Sequence, residues 1–129
     1  MKTMIRLMII SMFMLIASPV YAEALQIFNC EYEGEATEDD VFDMADKWLK
    51  AAKTLKGGEN IKVYIRFPVA ASVDDIDFKL VLAMPTFAEW GAFTDHYEKS
   101  QIVEIDDEFE KVAECNDAAM WEGEMLEGS

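Results

Sequence analysis

Three residues of this chain have the side-chain chemistry that catalysis needs. His96 is the only histidine, and histidine is the side chain that exchanges protons near neutral pH, so it is the first candidate for acid–base chemistry. Tyr97, which follows it, and Arg66, on the polar side of a predicted strand, are the other candidate catalytic residues. A lone histidine beside Asp95 on a polar helix edge is more often structural than catalytic. The spacing of these residues matches no known catalytic motif, so whether the chain is an enzyme stays open.

Metal and cofactor chemistry has little support in the sequence. A second histidine is missing and both cysteines are expected to be oxidised, so neither a zinc site nor a haem site is predicted. Asp74, Asp75 and Asp77 form an acidic cluster suited to a hard cation, but the cluster lacks the glycine and distal glutamate of a calcium-binding loop. A solvated loop is the favoured interpretation, and we predict no metal and no cofactor. Neither Gly-x-Ser-x-Gly nor a phosphate-binding glycine loop occurs.

Aromatic residues are the candidate ligand contacts. Trp90 and Phe93 belong to an aromatic stripe at helical spacing, and Tyr64 lies on the polar side of a strand. Such side chains could line an apolar pocket for a small ligand. Aromatic residues at this spacing more often form an ordinary core, because a small domain buries most of its area through them.

The first 22 residues resemble a signal peptide. Lys2 and Arg6 precede an apolar run from Leu7 to Ala17, and Val20-Tyr21-Ala22 has the small residues of a cleavage site. The run is shorter than a membrane-spanning helix, so no stable membrane anchor is expected. We predict a signal peptide at 1–22, a single domain at 23–129, and an exported protein, periplasmic or extracellular.

Charge restricts the partners. Lys2 and Arg6 belong to the leader, so the mature part has 9 basic residues against 26 acidic ones, a formal charge of −17. This charge repels phosphate backbones and anionic lipids, so nucleic-acid binding is not expected. Such a surface usually serves solubility, and the more specific alternative is that it binds a cationic partner or divalent ions.

The two cysteines are expected to pair. Cys30 and Cys115 would persist as a disulfide in an oxidising compartment. They lack the Cys-x-x-Cys spacing of a redox-active pair.

The order of predicted elements indicates an α+β fold. Apolar alternation predicts strands at 26–32, 61–67, 78–84 and 119–125. Thr37 and Thr86 are N-cap candidates for two helices, and a short extra helix is predicted from Asp106 to Glu114 before the last strand. This is the ferredoxin-like split βαββαβ arrangement, an antiparallel sheet with helices on one face.

The strand from Phe78 to Met84 is apolar on nearly both faces, which predicts that a second copy covers the open face and forms a homodimer. In this respect the chain resembles the dimeric α/β-barrel group, whose members often hold a small ligand between sheet and helices. The segment from Asp77-Phe78-Lys79-Leu80 through Pro85 to Trp90-Gly91 is also similar to uncharacterised secreted proteins of marine bacteria.

Two functions follow as expectations. The first is a noncatalytic module that binds a small apolar ligand or a protein partner. The alternative, which the resemblance to dimeric α/β barrels implies, is a cofactor-independent, monooxygenase-like enzyme for a small molecule, assisted by His96, Tyr97 or Arg66. A third possibility is a mainly structural envelope protein.

Overall fold

The computed structural model of the protein describes residues 22–70 and 76–124. The elements in chain order are β1 (Glu23–Tyr32), α1 (Glu38–Ala52), β2 (Lys62–Arg66), β3 (Phe78–Met84), α2 (Phe87–Tyr97), α3 (Ile102–Phe109) and β4 (Ala113–Gly123). With the short α3 set aside, this order is the predicted βαββαβ sequence.

The four strands form one sheet in the order β2-β3-β1-β4. Each neighbouring pair is antiparallel. Strands β1 and β2 are therefore parallel to each other with β3 between them, and β3 and β4 are parallel with β1 between them. This is the ferredoxin-like topology, and the predicted fold class is confirmed.

Strand register assigns each residue to one face of the sheet. Phe28 lies opposite Leu80, and Cys30 lies opposite Phe78. These residues pack with side chains of the helices, so they define the helix face. The alternate residues, such as Ile27 opposite Val81, point to the other side, which we call the open face.

Helix α1 begins at a reciprocal cap. The side chain of Asp40 accepts hydrogen bonds from the backbone N–H of Thr37 at 2.8 Å and from its hydroxyl at 2.8 Å. The backbone N–H of Asp40 donates back to Thr37 Oγ1 at 3.4 Å. These bonds satisfy donors that the first turn would leave unpaired. The backbone and side-chain hydrogen bonds from Thr37 lower the pKa of Asp40.

The disulfide joins the first strand, β1, to the last strand, β4, which lies beside it at the edge of the sheet. Cys30 on β1 and Cys115 on β4 lie directly opposite each other, with Cα atoms 4.1 Å apart and a bond between their sulfurs. The predicted pairing is confirmed. The sequence placed the last strand at 119–125, after Cys115, and this boundary is wrong because β4 already begins at Ala113, opposite Tyr32.

The extra helix is also displaced from its prediction. It runs from Ile102 to Phe109 rather than from Asp106 to Glu114. Ile102 and Phe109 are buried and seven residues apart, which places both on the inner side of two helical turns. The acidic residues Asp106 and Asp107 therefore lie in the last turns of this helix and not in its first.

Part of the predicted acidic cluster, Asp74 and Asp75, lies outside the described residues. Asp77 lies just before β3, where its carboxylate accepts a hydrogen bond from the backbone N–H of Tyr32 at 2.8 Å. Within residues 22–70 and 76–124, no helix has the length and apolar character needed to span a membrane.

Candidate functional site

A cavity of about 670 Å³ lies between the helix face of the sheet and the three helices. Its floor consists of sheet residues, its roof of helix residues and its margin of polar residues near β4. The floor includes Gln26, Phe28, Val63, Leu80 and Leu82, the roof includes Ala45, Trp48, Trp90, Phe93, Thr94, Tyr97, Asp106 and Phe109, and the margin includes Glu33, Glu110, Glu114 and Asn116. We refer to this space as the cavity.

Three helices meet in a hydrogen-bonded triad at the roof. Trp48 on α1 donates its indole N–H to Asp106 Oδ1 on α3 at 2.8 Å. The hydroxyl of Tyr97 on α2 donates to the other carboxylate oxygen of Asp106. The carboxylate thus joins all three helices and is held in one orientation from both sides.

Burial raises the pKa of two members of the triad, Asp106 and Tyr97. Desolvation raises the pKa of Asp106, the charge of Asp107 adds to the rise, and the hydrogen bonds from Tyr97 and Trp48 oppose it. Both donors favour the charged form of Asp106 and so limit this rise. Burial, with the hydrogen bond to Asp106, raises the pKa of Tyr97 well above its ordinary value. Tyr97 therefore keeps its proton and acts as a donor.

Aromatic rings form one continuous side of the cavity. The rings of Phe93 and Tyr97 are 5.4 Å apart, and those of Trp48 and Phe93 are 6.1 Å apart, both with edge-to-face geometry. Trp48 is also 6.4 Å from Tyr97. Such mutual contacts hold the rings in fixed positions. Trp90 lines the cavity from the same helix as Phe93 and is only half buried.

The polar groups around this apolar space have one sign of charge. Gln26 brings a neutral amide to the floor on the central strand β1. The ionisable lining residues other than Tyr97 are all carboxylic acids: Glu33, Asp106, Glu110 and Glu114. Among the described residues that line the cavity, none is lysine, arginine or histidine.

The cavity brings together three of the predicted site residues. Trp90 and Phe93, which the sequence proposed as ligand contacts, line it together with Tyr97, a catalytic candidate. His96 lies elsewhere: its ring is exposed on α2, and Nδ1 lies 2.7 Å from the backbone carbonyl of Ala92. This position gives His96 a local contact within its own helix and none with the cavity.

Tyr64 and Arg66 lie on the open face, on the other side of the sheet from the cavity. Tyr64 is opposite Val81, and Arg66 is opposite Lys79. The side chain of Tyr64 is 45% exposed. The sheet therefore separates these two residues from the triad.

Sequence reasoning did not identify Asp106 as a site residue, although a signal was present. Asp106 lies four residues after Ile102 and three before Phe109, so it occupies the buried stripe of α3. A carboxylate in an apolar stripe needs a partner, which here is a pair of donors. The predicted helix begins at Asp106, whereas the helix in the structure begins at Ile102, so the prediction did not place Asp106 in the same stripe as Ile102. Gln26, an amide in the apolar alternation of β1, is a second polar residue of the cavity that was not predicted.

The part of the chain that the structure describes contains no arrangement of metal ligands. No group of three histidine, cysteine, aspartate or glutamate residues there could hold a metal ion.

No protein-family model matches the chain, and no curated protein is significantly similar to it.

Proposed function

We propose that this protein is a noncatalytic binding module that holds a small organic molecule in the cavity. The observation that carries this proposal is the cavity itself, because about 670 Å³ lies within the range of about 300–1,000 Å³ that is typical of small-molecule sites. The lining is also of the usual kind, since aromatic walls surround a small number of fixed polar groups.

The geometry of the triad favours binding over catalysis. Asp106 accepts from both Trp48 and Tyr97, which fixes its position and engages both of its oxygens. His96 is exposed and has no contact with the cavity. A fixed carboxylate beside apolar walls orients a ligand without needing to exchange a proton with it.

One observation favours the enzymatic alternative. Asp106 and Tyr97 are a hydrogen-bonded acid and phenol at a cavity wall, and burial raises the pKa of both, a pattern also found in active sites. A cofactor-independent enzyme of the dimeric α/β-barrel type would use this pair. If a turnover reaction is found, Asp106→Asn should abolish it under this alternative, whereas His96→Ala should leave it unchanged.

Export is the second part of the proposal. Residues 1–22 are proposed to be a signal peptide that leaves a mature domain at 23–129. The Cys30–Cys115 disulfide supports this location, because disulfides persist outside the reducing cytoplasm. The proposed compartment is the periplasm or the medium.

A second copy of this chain is the proposed partner on the open face. An apolar band crosses that face on β3, β1 and β4, with Tyr64 and Trp121 at its two ends, and it consists of Leu25, Ile27, Val81, Ala83 and Ala119. Trp121 is 58% exposed and Tyr64 is 45% exposed. Val81 and Ala83 within the band are buried, so the two aromatic side chains supply its most exposed apolar surface, and exposed aromatic residues on one sheet face are typical of an interaction surface.

Charge supports the choice of a second copy. The mature chain is strongly acidic, so most of its surface repels another copy. The open face differs, because its cations match its carboxylates in number. Strand register places the cations Lys62, Arg66 and Lys79 on this face, together with the carboxylates Glu23, Glu31 and Glu114. Glu114 belongs to the edge strand β4 and also borders the cavity. Two open faces can therefore approach without net repulsion, and basic side chains of one copy can pair with acidic side chains of the other.

The dimer is tested by light scattering at micromolar concentration. Trp121→Glu should convert a dimer into a monomer by placing a carboxylate in the apolar band. The matched control is Phe87→Glu, since Phe87 is 41% exposed and lies in the first turn of α2, away from the open face. A wild-type monomer, or equal masses for both variants, would contradict the proposed dimer.

The binding function is tested by native mass spectrometry and by ligand titration. The mature protein purified from its own host is expected to retain a small molecule, and the dialysed protein should rebind it. Thr94→Phe adds a ring at the roof of the cavity, whereas Thr54→Phe adds the same ring at an exposed site outside it. Weaker binding by the first variant alone supports the cavity as the site, and equal binding by both excludes it.

A further inference from the structure

We infer that the cavity selects a cationic ligand with an apolar body, that is, an amine or a quaternary ammonium group carried on an aromatic or alkyl moiety. This inference rests on the proposed binding function and names the chemical class of its ligand. It follows from the charge of the lining, the aromatic wall and the free acceptor capacity of Asp106.

The charge of the lining excludes anions. Asp106 lies in the roof, and Glu33 and Glu110 lie at the margin. The described lining offers no lysine, arginine or histidine to neutralise a carboxylate or phosphate. Carboxylates along an apolar cleft focus a negative potential in it, which raises the local concentration of cations.

The aromatic wall favours the same charge. Trp48, Trp90, Phe93 and Tyr97 line one continuous part of the cavity. Ring faces carry partial negative charge, so they attract ammonium groups as well as apolar surface, and tryptophan does so most strongly. A ligand with both a cation and an apolar body would use each property of this wall.

Asp106 has room for one more donor. An ionised carboxylate offers about four acceptor positions, and Trp48 and Tyr97 occupy one on each oxygen. The remaining positions are available to an ammonium N–H. Because the carboxylate is already held by two donors, little further ordering is required when a ligand binds.

Calorimetric titration with three ligands of one shape tests this inference. The probes are protonated phenethylamine, neutral phenethyl alcohol and anionic hydrocinnamate, which share a phenyl ring on a short chain. Near pH 7 the amine is expected to bind about tenfold more tightly than the alcohol, as one charge-assisted hydrogen bond would give. Hydrocinnamate should bind more weakly than the alcohol.

Variants assign the preference to Asp106. Asp106→Asn should reduce the preference for the amine over the alcohol to about twofold or less, with the alcohol affinity little changed. Asp107→Asn removes the same charge from the neighbouring exposed residue, which does not line the cavity, and should leave the preference intact.

The outcomes separate this inference from the proposed function. If the alcohol or hydrocinnamate binds as tightly as the amine, the cationic class is wrong while the binding function stands. If none of the three probes binds at millimolar concentration, the binding function loses its support as well. Should Asp106→Asn fail to fold, the three wild-type affinities still decide the charge preference.

Discussion

Loss of the Cys30–Cys115 disulfide is expected to lower the free energy of unfolding by about 4.6 kcal/mol. The bond links residues 85 positions apart, and the chain-entropy relation for a loop of that length gives about 15 cal/mol/K, or about 4.6 kcal/mol at room temperature. Small domains are stable by only about 5–15 kcal/mol. The reduced protein should therefore be marginally folded.

Urea unfolding followed by tryptophan fluorescence measures this loss. The oxidised protein is compared with the protein equilibrated in dithiothreitol throughout the urea series, so that both the folded and the unfolded states are reduced. With an m-value of about 2 kcal/mol/M for a domain of this size, the midpoint should fall by about 2 M.

The double variant Cys30→Ala/Cys115→Ala is the matched control for the effect of the reductant. Cys30 is fully buried, so this variant also loses sulfur packing and should be slightly less stable than the reduced wild type. A reduced protein whose free energy of unfolding lies within about 1 kcal/mol of the oxidised value would refute the entropy argument.

Three further stability predictions can be checked by the same urea assay. Gly57→Ala should cost more than about 2 kcal/mol, because φ is +88° and an added Cβ would lie 2.3 Å from the Glu89 carbonyl oxygen. Gly34→Ala should cost only about 1 kcal/mol, because φ is +56° but the space around Gly34 is open. Equal losses of stability in the two variants would contradict the close approach of Gly57 to Glu89. Thr37→Ala should cost about 1 kcal/mol through loss of the helix cap; no change would contradict the cap's contribution. Because burial raises the pKa of Asp106 in the folded state, its protonated form favours folding. The wild type should therefore lose stability relative to Asp106→Asn as the pH rises from 3.8, the ordinary pKa of this carboxyl group, through its raised pKa in the folded state. A stability difference between the two proteins that does not change with pH would contradict the burial of Asp106.

Local pattern predicted the order of the elements. Alternation in β3 gave its bounds, Phe78 to Met84, as the structure has them. Thr37 and Thr86 were recognised as caps because a hydroxyl three residues before an acidic residue is a local signal, and both accept a hydrogen bond from the backbone at that spacing. These features depend only on residues close in sequence.

The end of the chain was predicted less well because pairing overrides local pattern there. Glu110 to Glu114 has the composition of a helix, yet Ala113 and Glu114 are strand residues opposite Tyr32 and Glu31. The hydrogen bonds of β1, together with the disulfide, hold this segment extended. Helix propensity is too small to compete with a complete strand pairing.

The triad could not be predicted from local pattern at all. Trp48, Tyr97 and Asp106 come from three helices, and they lie together because the folded chain brings the ring of Trp48 on α1 against the rings of Phe93 and Tyr97 on α2. This contact is a property of tertiary packing. The sequence indicated aromatic residues suited to a pocket and has Asp106 in an apolar stripe, but the pairing of Asp106 with Trp48 and Tyr97 emerged only from the fold.

Tryptophan indole signals give the most direct test of binding in the cavity. The chain has three tryptophans: Trp48 and Trp90 line the cavity, and Trp121 lies on the open face. Nitrogen-15 spectra of the disulfide-bonded protein, with the three indole N–H signals assigned from single Trp→Phe variants, are recorded during titration with protonated phenethylamine, phenethyl alcohol and hydrocinnamate. The account predicts that a binding probe shifts the Trp48 and Trp90 signals and leaves Trp121 unchanged. Shifts confined to Trp121, or no shift at Trp48 and Trp90 with any of the three probes, would contradict it.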